Sequence, residues 1–180
     1  MDILKKKSKK NIVIIGLMGS GKSIVGRRIS GLLGFDHLDT DKVIEKKEDK
    51  TINKIFLENG ENYFREIEEK YVLEMLDCKN TILSLGGGSV INKKIRDKII
   101  KNSISIYLKV DIDLLVKRLE KSYKRPLLND VDIHKKLLEI YENRKKFYEK
   151  ADIIVKNNFN VSDVCKNICL ELEINSEEPL

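Results

Sequence analysis

The residues best suited to chemistry lie in one glycine-rich stretch near the start of the chain, Gly16-Leu17-Met18-Gly19-Ser20-Gly21-Lys22-Ser23. Its G-x-x-x-x-G-K-[ST] spacing is typical of a loop that wraps nucleotide phosphates with backbone N–H groups. The apolar run at 12–15 precedes it and an amphipathic segment at 24–33 follows, so the loop joins a strand to a helix N-terminus, where anions bind. Lys22 can contact the β- and γ-phosphates, and the Ser23 hydroxyl can ligate Mg²⁺. A glycine turn that binds nothing would not need lysine and serine in tandem.

The composition predicts one domain. A chain of 180 residues with 41% apolar content can bury one core and is too short for two ordinary domains, so we expect a single domain over 1–180. The net charge of +6 owes much to the lysines at 5–10. We interpret 1–10 as a basic, solvated tail rather than a nucleic-acid site, because chain termini are commonly frayed. A second, polar tail is expected at 174–180.

The cysteines and histidines do not form a recognisable metal or catalytic cluster. Cys78, Cys165 and Cys169 are an odd count without C-x-x-C spacing, and neither a secretory signal nor a long apolar span is recognisable. A cytoplasmic location without a membrane partner fits these features. Cys165 and Cys169 are four apart on a predicted helix, and we interpret them as small core hydrophobes. His37 and His134 lack ligand company and are expected at the surface or satisfied in the core.

Strands alternate with helices along the chain, which predicts a parallel sheet with helices on both faces. Five strands are expected: one at 12–15, a second that ends just before Asp39, and three more at 81–85, 103–109 and 151–155. Helices are expected at 24–33, 42–50, 51–58, 61–77, 92–100, 111–120, 132–149 and 161–172, with N-caps at Thr51, Asn92 and Asp111. In the helix at 132–149 the buried side chains are predicted to be Leu137, Leu138, Tyr141 and Phe147.

Two carboxylates follow the second predicted strand. Asp39 and Asp41 lie at the edge of the sheet where ligands collect, and would point the same way if extended geometry continued past the strand. One could hold a water on Mg²⁺, and the other could accept a proton from a hydroxyl nucleophile. The alternative is that Asp39 or Thr40 simply caps the following helix. The nearby phosphate loop favours the chemical interpretation.

Gly86, Gly87 and Gly88 directly follow the third predicted strand. Three glycines at the end of a buried strand are costly in entropy, so they mark a place where the backbone comes close to another group. A ligand is favoured over a flexible linker, because an ordered pattern resumes at once with Ser89.

Two arginines remain undecided by their neighbours alone. Arg125 lies among lysines at 121–131, where apolar periodicity is lost. This segment suits a lid whose arginine stabilises phosphate charge, and a solvated surface loop is an equal alternative. Arg65 lies beside the apolar stripe of the helix at 61–77, and is interpreted from its neighbours as solvated or paired with Glu68 or Glu69.

Taken together, these residues resemble the shikimate kinase family of small P-loop kinases, over roughly 12–170. The likeness rests on the phosphate loop, L-D-T-D at 38–41, F-R-x-x-E at 64–68, S-L-G-G-G at 84–88, and R-P-L-L at 125–128 with R-x-x-x-Y at 144–148. The resemblance implies a three-layer α/β P-loop fold with a mobile lid and a five-stranded parallel sheet of order 2-3-1-4-5. It implies transfer of the γ-phosphate of MgATP to the 3-hydroxyl of shikimate, giving shikimate 3-phosphate and ADP on the route to chorismate and the aromatic amino acids.

The alternatives are other uses of the same loop. One is a gluconate-type or other small-metabolite P-loop kinase, against which the arginine and triple-glycine motifs argue. A nucleotide-gated switch would need an N-K-x-D motif, which the segments at 53–56 and 92–95 do not supply. A nucleotide-binding protein without catalysis is the remaining alternative. The family is usually monomeric, so we expect a monomer. Its expected ligands are ATP and shikimate, and no nucleic acid or membrane partner is expected.

The resemblance also implies roles for single residues. The substrate-binding residues are expected to be Asp41 for the ring hydroxyls, Arg65 and Arg144 for the carboxylate, and Gly86, Gly87 and Gly88. The residues expected to bind ATP are Gly19, Ser20, Gly21, Lys22, Ser23, Ile24, Arg118 and Arg125. Of all these, Lys22, Asp41 and Arg125 are expected to be catalytic. Ser23, and Asp39 through water, are expected to hold Mg²⁺.

The chain departs from the family pattern at two places. Many relatives have threonine after the serine of the loop, whereas this chain has Ile24, so only a backbone N–H remains there for phosphate. The loop at 157–160, expected to contact adenine, lacks the arginine of some relatives, which leaves the base preference open.

Overall fold

The structure, a computed structural model, describes residue 4 and residues 8–120, 132–158 and 160–172. Its strands are β1 (Asn11–Ile15), β2 (Asp36–Asp39), β3 (Thr81–Ser84), β4 (Ser103–Lys109) and β5 (Ile153–Lys156). Its helices are α1 (Lys22–Leu33), α2 (Thr40–Glu48), α3 (Ile52–Met75), α4 (Lys93–Asn102), α5 (Ile112–Leu119), α6 (Ile133–Tyr148) and α7 (Val161–Glu171), with a 3₁₀ turn at Ser89–Ile91. The predicted lid with Arg125 and the predicted tail at 174–180 lie outside the described residues, as does most of the tail at 1–10.

The strands form one parallel sheet of order β2-β3-β1-β4-β5, which confirms the predicted fold class. β1 is central and all of its residues are buried. Because successive side chains of a strand point to opposite faces, β1 supplies both cores. Val13 and Ile15 pack in the core that α3, α4 and α6 cover. Ile12 and Ile14 pack with α1 and α7, where Cys165 and Cys169 are buried as predicted.

Part of the predicted N-terminal tail packs against the sheet instead of being solvated. Leu4 is buried in the core beside α7. The Lys9 N–H donates to Leu4 O over 2.7 Å, and the Lys10 N–H donates to Asn102 O over 2.7 Å. None of the described helices is long and apolar enough to cross a membrane.

The predicted helix starts are correct where a side chain caps the helix that it precedes. Thr51 and Asn92 cap α3 and α4, accepting hydrogen bonds from Lys54 N and Ile95 N. α3 is interrupted at Gly60, whose φ of 81° and ψ of 172° are favourable only for glycine. The two helices predicted on either side of this glycine are therefore joined by a kink.

Two of the predicted local contacts are wrong. Asp111 stands at the N-cap position of α5 but makes no side-chain cap; its carboxylate accepts from Asn158 Nδ2 at 2.5 Å. In α6, Leu138 is 39% exposed, because the buried stripe runs through positions spaced three and four apart, Leu137, Ile140, Arg144 and Tyr148. Tyr141 and Phe147 are only partly buried.

Candidate active site

The loop between β1 and α1 brings glycine backbone and a lysine together at a helix N-terminus. Gly19 and Gly21 have φ values of 76° and 87°, in the region that disfavours other residues. Lys22, the first residue of α1, folds back over the loop, where its Nζ donates to Gly16 O at 3.0 Å and to Leu17 O at 2.9 Å. The cation therefore lies beside the positive end of the α1 dipole, an arrangement that favours anions.

Two further residues of this loop differ in what they offer a phosphate. Ser20 is fully buried, and its Oγ is the buried side-chain polar atom without a hydrogen-bond partner in the described part of the chain. An orphaned hydroxyl of this kind is unusual in a folded protein and suits a loop that receives a polar ligand. The Ile24 side chain is 62% exposed, and its N–H already donates to Gly21 O over 3.1 Å.

The two aspartates after β2 face different partners. Asp39 both caps α2, accepting from Lys42 N at 3.4 Å, and accepts the Ser23 hydroxyl through its second oxygen. Asp39 therefore caps α2 as the alternative interpretation expected, and its second oxygen lies beside the phosphate loop, so the cap does not exclude the predicted site role. The expectation of extended geometry up to Asp41 is wrong, because α2 begins at Thr40 and successive helical side chains are about 100° apart. Asp41 consequently turns towards Gly86.

Ser23 and Asp39 are a donor set that fits Mg²⁺. Both offer oxygen, and they already touch at the N-terminus of α1. Within the described ranges no group of three or more His, Cys, Asp or Glu side chains could hold a metal. Mg²⁺ does not require one, because it commonly keeps several waters and binds through one or two protein oxygens together with substrate phosphates.

The three glycines after β3 lie close to three of the side chains predicted for the site. A methyl group at Gly86 would lie 2.7 Å from Asp41 Oδ1, and one at Gly88 would lie 2.6 Å from an Arg65 nitrogen. A methyl group at Gly87 would lie 3.5 Å from an Arg144 nitrogen. The absence of side chains on these glycines thus leaves room for the polar groups. It brings together Asp41, Arg65 and Arg144, which are far apart in the sequence.

These groups line one cavity beside the phosphate loop, which encloses about 540 Å³ including its open mouth. Its polar side consists of the three glycines with Asp41, Arg65, Glu68 and Arg144. Its apolar side consists of Met18, Ile52, Phe56 and Phe64. The rings of Phe56 and Phe64 are 4.8 Å apart and form a continuous wall. A small molecule with an anionic group, hydroxyls and an apolar ring face would match this lining.

Arg65 is paired, which the sequence had left open. Its guanidinium donates to Glu68 at 2.7 Å and to Glu61 at 2.9 Å. Burial opposes the charge, but the attraction of Glu68 and the hydrogen bonds to both glutamates outweigh it and raise the pKa of Arg65. Glu68 is 3% exposed and also accepts the Ser89 hydroxyl at 2.7 Å. Glu68 was missing from the predicted site, although its position four residues after buried Phe64 indicated a carboxylate on the inner face of the helix.

Arg144 has a different environment. It is 6% exposed, and within the described ranges no acidic side chain forms an ion pair with it. A buried cation without an acidic partner is costly, so its retention at a cavity wall points to an anionic ligand. One turn further along α6, the Tyr148 hydroxyl donates to Gly87 O at 2.6 Å. Burial raises the pKa of Tyr148, and the neighbouring Arg144 offsets this only in part, so the phenol remains a donor at neutral pH.

Arg118, predicted on the nucleotide side, lies behind the phosphate loop. It donates to Gly19 O at 3.3 Å and to Asn157 O at 3.1 Å. The structure therefore places α5 and the loop after β5 next to each other, against residues 19 and 20.

Comparisons with known proteins agree with one another. The model of the shikimate kinase family matches residues 18–173. Shikimate kinase of Clostridium botulinum (strain ATCC 19397 / Type A) is 45% identical over 149 residues, which are 82% of this chain and 87% of that protein. Shikimate kinase of Bartonella quintana (strain Toulouse) is 38% identical over 155 residues, 86% of this chain and 74% of that protein.

Solved structures give the same result. A shikimate kinase from Acinetobacter baumannii in complex with shikimate is 31% identical with a TM-score of 0.88, covering 98% of this chain and 99% of that one. A gluconokinase from Sinorhizobium meliloti 1021 is 17% identical with a TM-score of 0.61, covering 91% of each chain. The likeness to the gluconokinase concerns the fold alone.

Proposed function

This chain belongs to the shikimate kinase family, and from that premise we propose that it transfers the γ-phosphate of ATP to the 3-hydroxyl of shikimate. The products are shikimate 3-phosphate and ADP. The observation that carries the proposal is the convergence of Arg65, Arg144 and Asp41 on three glycines beside the phosphate loop. The alternative of a gluconate-type kinase is not favoured, because only the fold is shared with the gluconokinase.

We propose that the two arginines bind the shikimate carboxylate. Forked guanidinium–carboxylate hydrogen bonds are strong and directional, which suits a single carboxylate on a rigid ring. Arg144 contributes a buried charge without an acidic partner among the described residues, and Arg65 is held in place by Glu68. Phe56 and Phe64 would pack against the apolar face of the ring.

Asp41 is the residue proposed to orient and deprotonate the attacking hydroxyl. The hydroxyl oxygen attacks the γ-phosphorus, the bond from that phosphorus to the β,γ-bridging oxygen breaks, and ADP leaves. The hydroxyl proton passes to the Asp41 carboxylate. Because phosphoryl transfer has a loose transition state, positioning and charge neutralisation supply most of the rate enhancement.

On the nucleotide side, Lys22 and the amides of the loop are proposed to hold the β- and γ-phosphates. Ser23 and Asp39, the latter through water, would hold Mg²⁺, which when bound neutralises phosphate charge. Arg125 is proposed from the family resemblance as a further charge-stabilising group and lies outside the described residues. We also propose a cytoplasmic location, to which the free thiols of Cys78, Cys165 and Cys169 are suited. The monomeric state is proposed from the family resemblance.

The proposal is tested by following ADP release from MgATP with shikimate, gluconate, quinate and AMP as parallel acceptors. We expect turnover with shikimate at least about 100-fold above that with the other acceptors, because an acceptor of different shape places its anionic group and hydroxyls out of register with the buried polar groups of the cavity and leaves some of them unpaired. ATP binding without shikimate-dependent turnover would contradict the assigned acceptor and leave the fold unaffected.

The Tyr148 hydroxyl links α6 to the three glycines after β3. Tyr148→Phe removes the hydroxyl that holds Gly87 O, so the loop loses one hydrogen bond and Arg144 one neighbour. We expect the KM for shikimate to rise about 3- to 10-fold, which corresponds to the usual free-energy contribution of one buried hydrogen bond. The KM for ATP should stay within about twofold of wild type.

The matched control is Tyr107→Phe, since the Tyr107 ring stacks on Tyr148 at 5.1 Å and is also buried. Steady-state kinetics with each substrate varied in turn would show the difference. Equal effects of the two variants on the KM for shikimate would mean that Tyr148 acts through packing alone.

A further inference from the structure

A side chain that follows β5 holds the backbone of the phosphate loop through a hydrogen bond. Asn157, the first residue after β5, is 3% exposed. Its Nδ2 donates to Ser20 O over 2.6 Å. Its own backbone is anchored as well, because the N–H donates to Lys109 O over 2.7 Å and the carbonyl accepts from Arg118.

This contact determines how one peptide of the loop is turned. In a trans peptide the carbonyl of one residue and the N–H of the next point in opposite directions. Because Ser20 O is directed at Asn157, the Gly21 N–H points away from Asn157.

The peptide needs such a restraint. Gly19 and Gly21 have positive φ and no side chain that would favour one rotation of the intervening backbone. Asn157 supplies this restraint by packing tightly against the loop, since a methyl group at Gly21 would lie 2.9 Å from the Asn157 Nδ2. Arg118 acts in the same sense on the preceding carbonyl, Gly19 O, at 3.3 Å.

We propose that Asn157 is a positioning residue for phosphate binding: its side-chain amide holds the Ser20–Gly21 peptide with the Gly21 N–H turned towards the ATP phosphates. This inference rests on the proposed function only in taking ATP as the nucleotide. It differs from the expectation that the loop at 157–160 serves adenine, because the Asn157 side chain is directed at the phosphate loop.

The test separates phosphate from base. For Asn157→Ala we expect the Kd values of MgATP and MgADP, measured by calorimetry, to rise about 5- to 20-fold, from the loss of one buried hydrogen bond and the release of the peptide. The affinity for adenosine, measured by competition, should stay within about twofold, as should the KM for shikimate. Asn157→Leu keeps most of the side-chain volume and allows the same comparison if the alanine variant does not fold.

Asn102→Ala is the matched control. Asn102 is likewise a buried asparagine whose Nδ2 donates to a backbone carbonyl, Leu76 O at 3.1 Å, but it ends α4 just before β4 begins, at the edge of the sheet opposite the phosphate loop. We expect nucleotide affinities within about twofold of wild type for this variant. A parallel loss of adenosine and ATP affinity in Asn157→Ala would make Asn157 an adenine contact and overturn the proposal, as would unchanged ATP affinity. Failure of the wild-type protein to bind ATP would instead overturn the proposed function itself.

Discussion

Asp41→Asn is expected to lower kcat for shikimate phosphorylation by about 100-fold or more, while the Kd of MgATP changes by less than about threefold. Asparagine has nearly the shape of aspartate, so the close approach to Gly86 is preserved. The amide carries no charge and cannot accept the hydroxyl proton. Because a loose transition state needs little deprotonation, we expect the loss near the lower end of the range for general bases.

Steady-state kinetics combined with calorimetric titration of MgATP would measure both quantities. Asp36→Asn is the control, since Asp36 is exposed at the opposite end of β2. If the Asp41 variant kept nearly full turnover, Asp41 would not be the base, and its role would be limited to binding the ring hydroxyls.

Arg144→Met is expected to raise the KM for shikimate by about 30-fold or more, because losing a buried ion pair costs about 2–5 kcal/mol. The KM for ATP should remain within about threefold of wild type, since Arg144 faces the cavity across Gly87. Arg144→Lys should fall between the two, because lysine keeps the charge and loses the fork.

Stability measurements make this prediction more specific. A buried guanidinium without an acidic partner in the described ranges destabilises the folded chain, so we expect Arg144→Met to melt at or above the wild-type temperature. Lys146→Met removes a cation from the exposed face of the same helix and should leave both KM values unchanged. A large fall in the melting temperature of Arg144→Met, without a change in shikimate affinity, would show that Arg144 serves the fold.

Removing Arg65 and removing Arg144 are expected to change the stability of the protein differently, because only Arg65 has an acidic partner among the described residues. Arg65 neutralises Glu68, which is 3% exposed, so removing Arg65 leaves a buried carboxylate without its cation. Arg144 neutralises no acidic side chain of the described residues. We therefore expect the charge of Arg65 to serve both folding and the proposed binding of the substrate, whereas the charge of Arg144 is available for a ligand.

Sequence reasoning was most successful where the relevant residues are contiguous. The phosphate loop, the strands around it and the N-caps of α3 and α4 each depend on residues within a few positions of one another. It failed where a local pattern met a tertiary contact: Asp111 bonds Asn158 rather than its own helix, and Leu138 lies on the outer face of α6. The extension of strand geometry to Asp41 failed because α2 begins immediately after Asp39.

By itself, the sequence determined that this is a five-stranded parallel α/β protein with a phosphate loop, and its ordered motifs indicated the family and the residues of the candidate site. Only the tertiary structure decided how these residues meet. Tyr148 reaches Gly87 across 61 positions, and Asn157 reaches Ser20 across 137. Periodicity and spacing describe one element at a time, whereas a hydrogen bond between elements requires a donor and acceptor about 3 Å apart. That distance depends on how the helices pack on the sheet, and this packing places Arg144 beside the cavity without an acidic partner among the described residues.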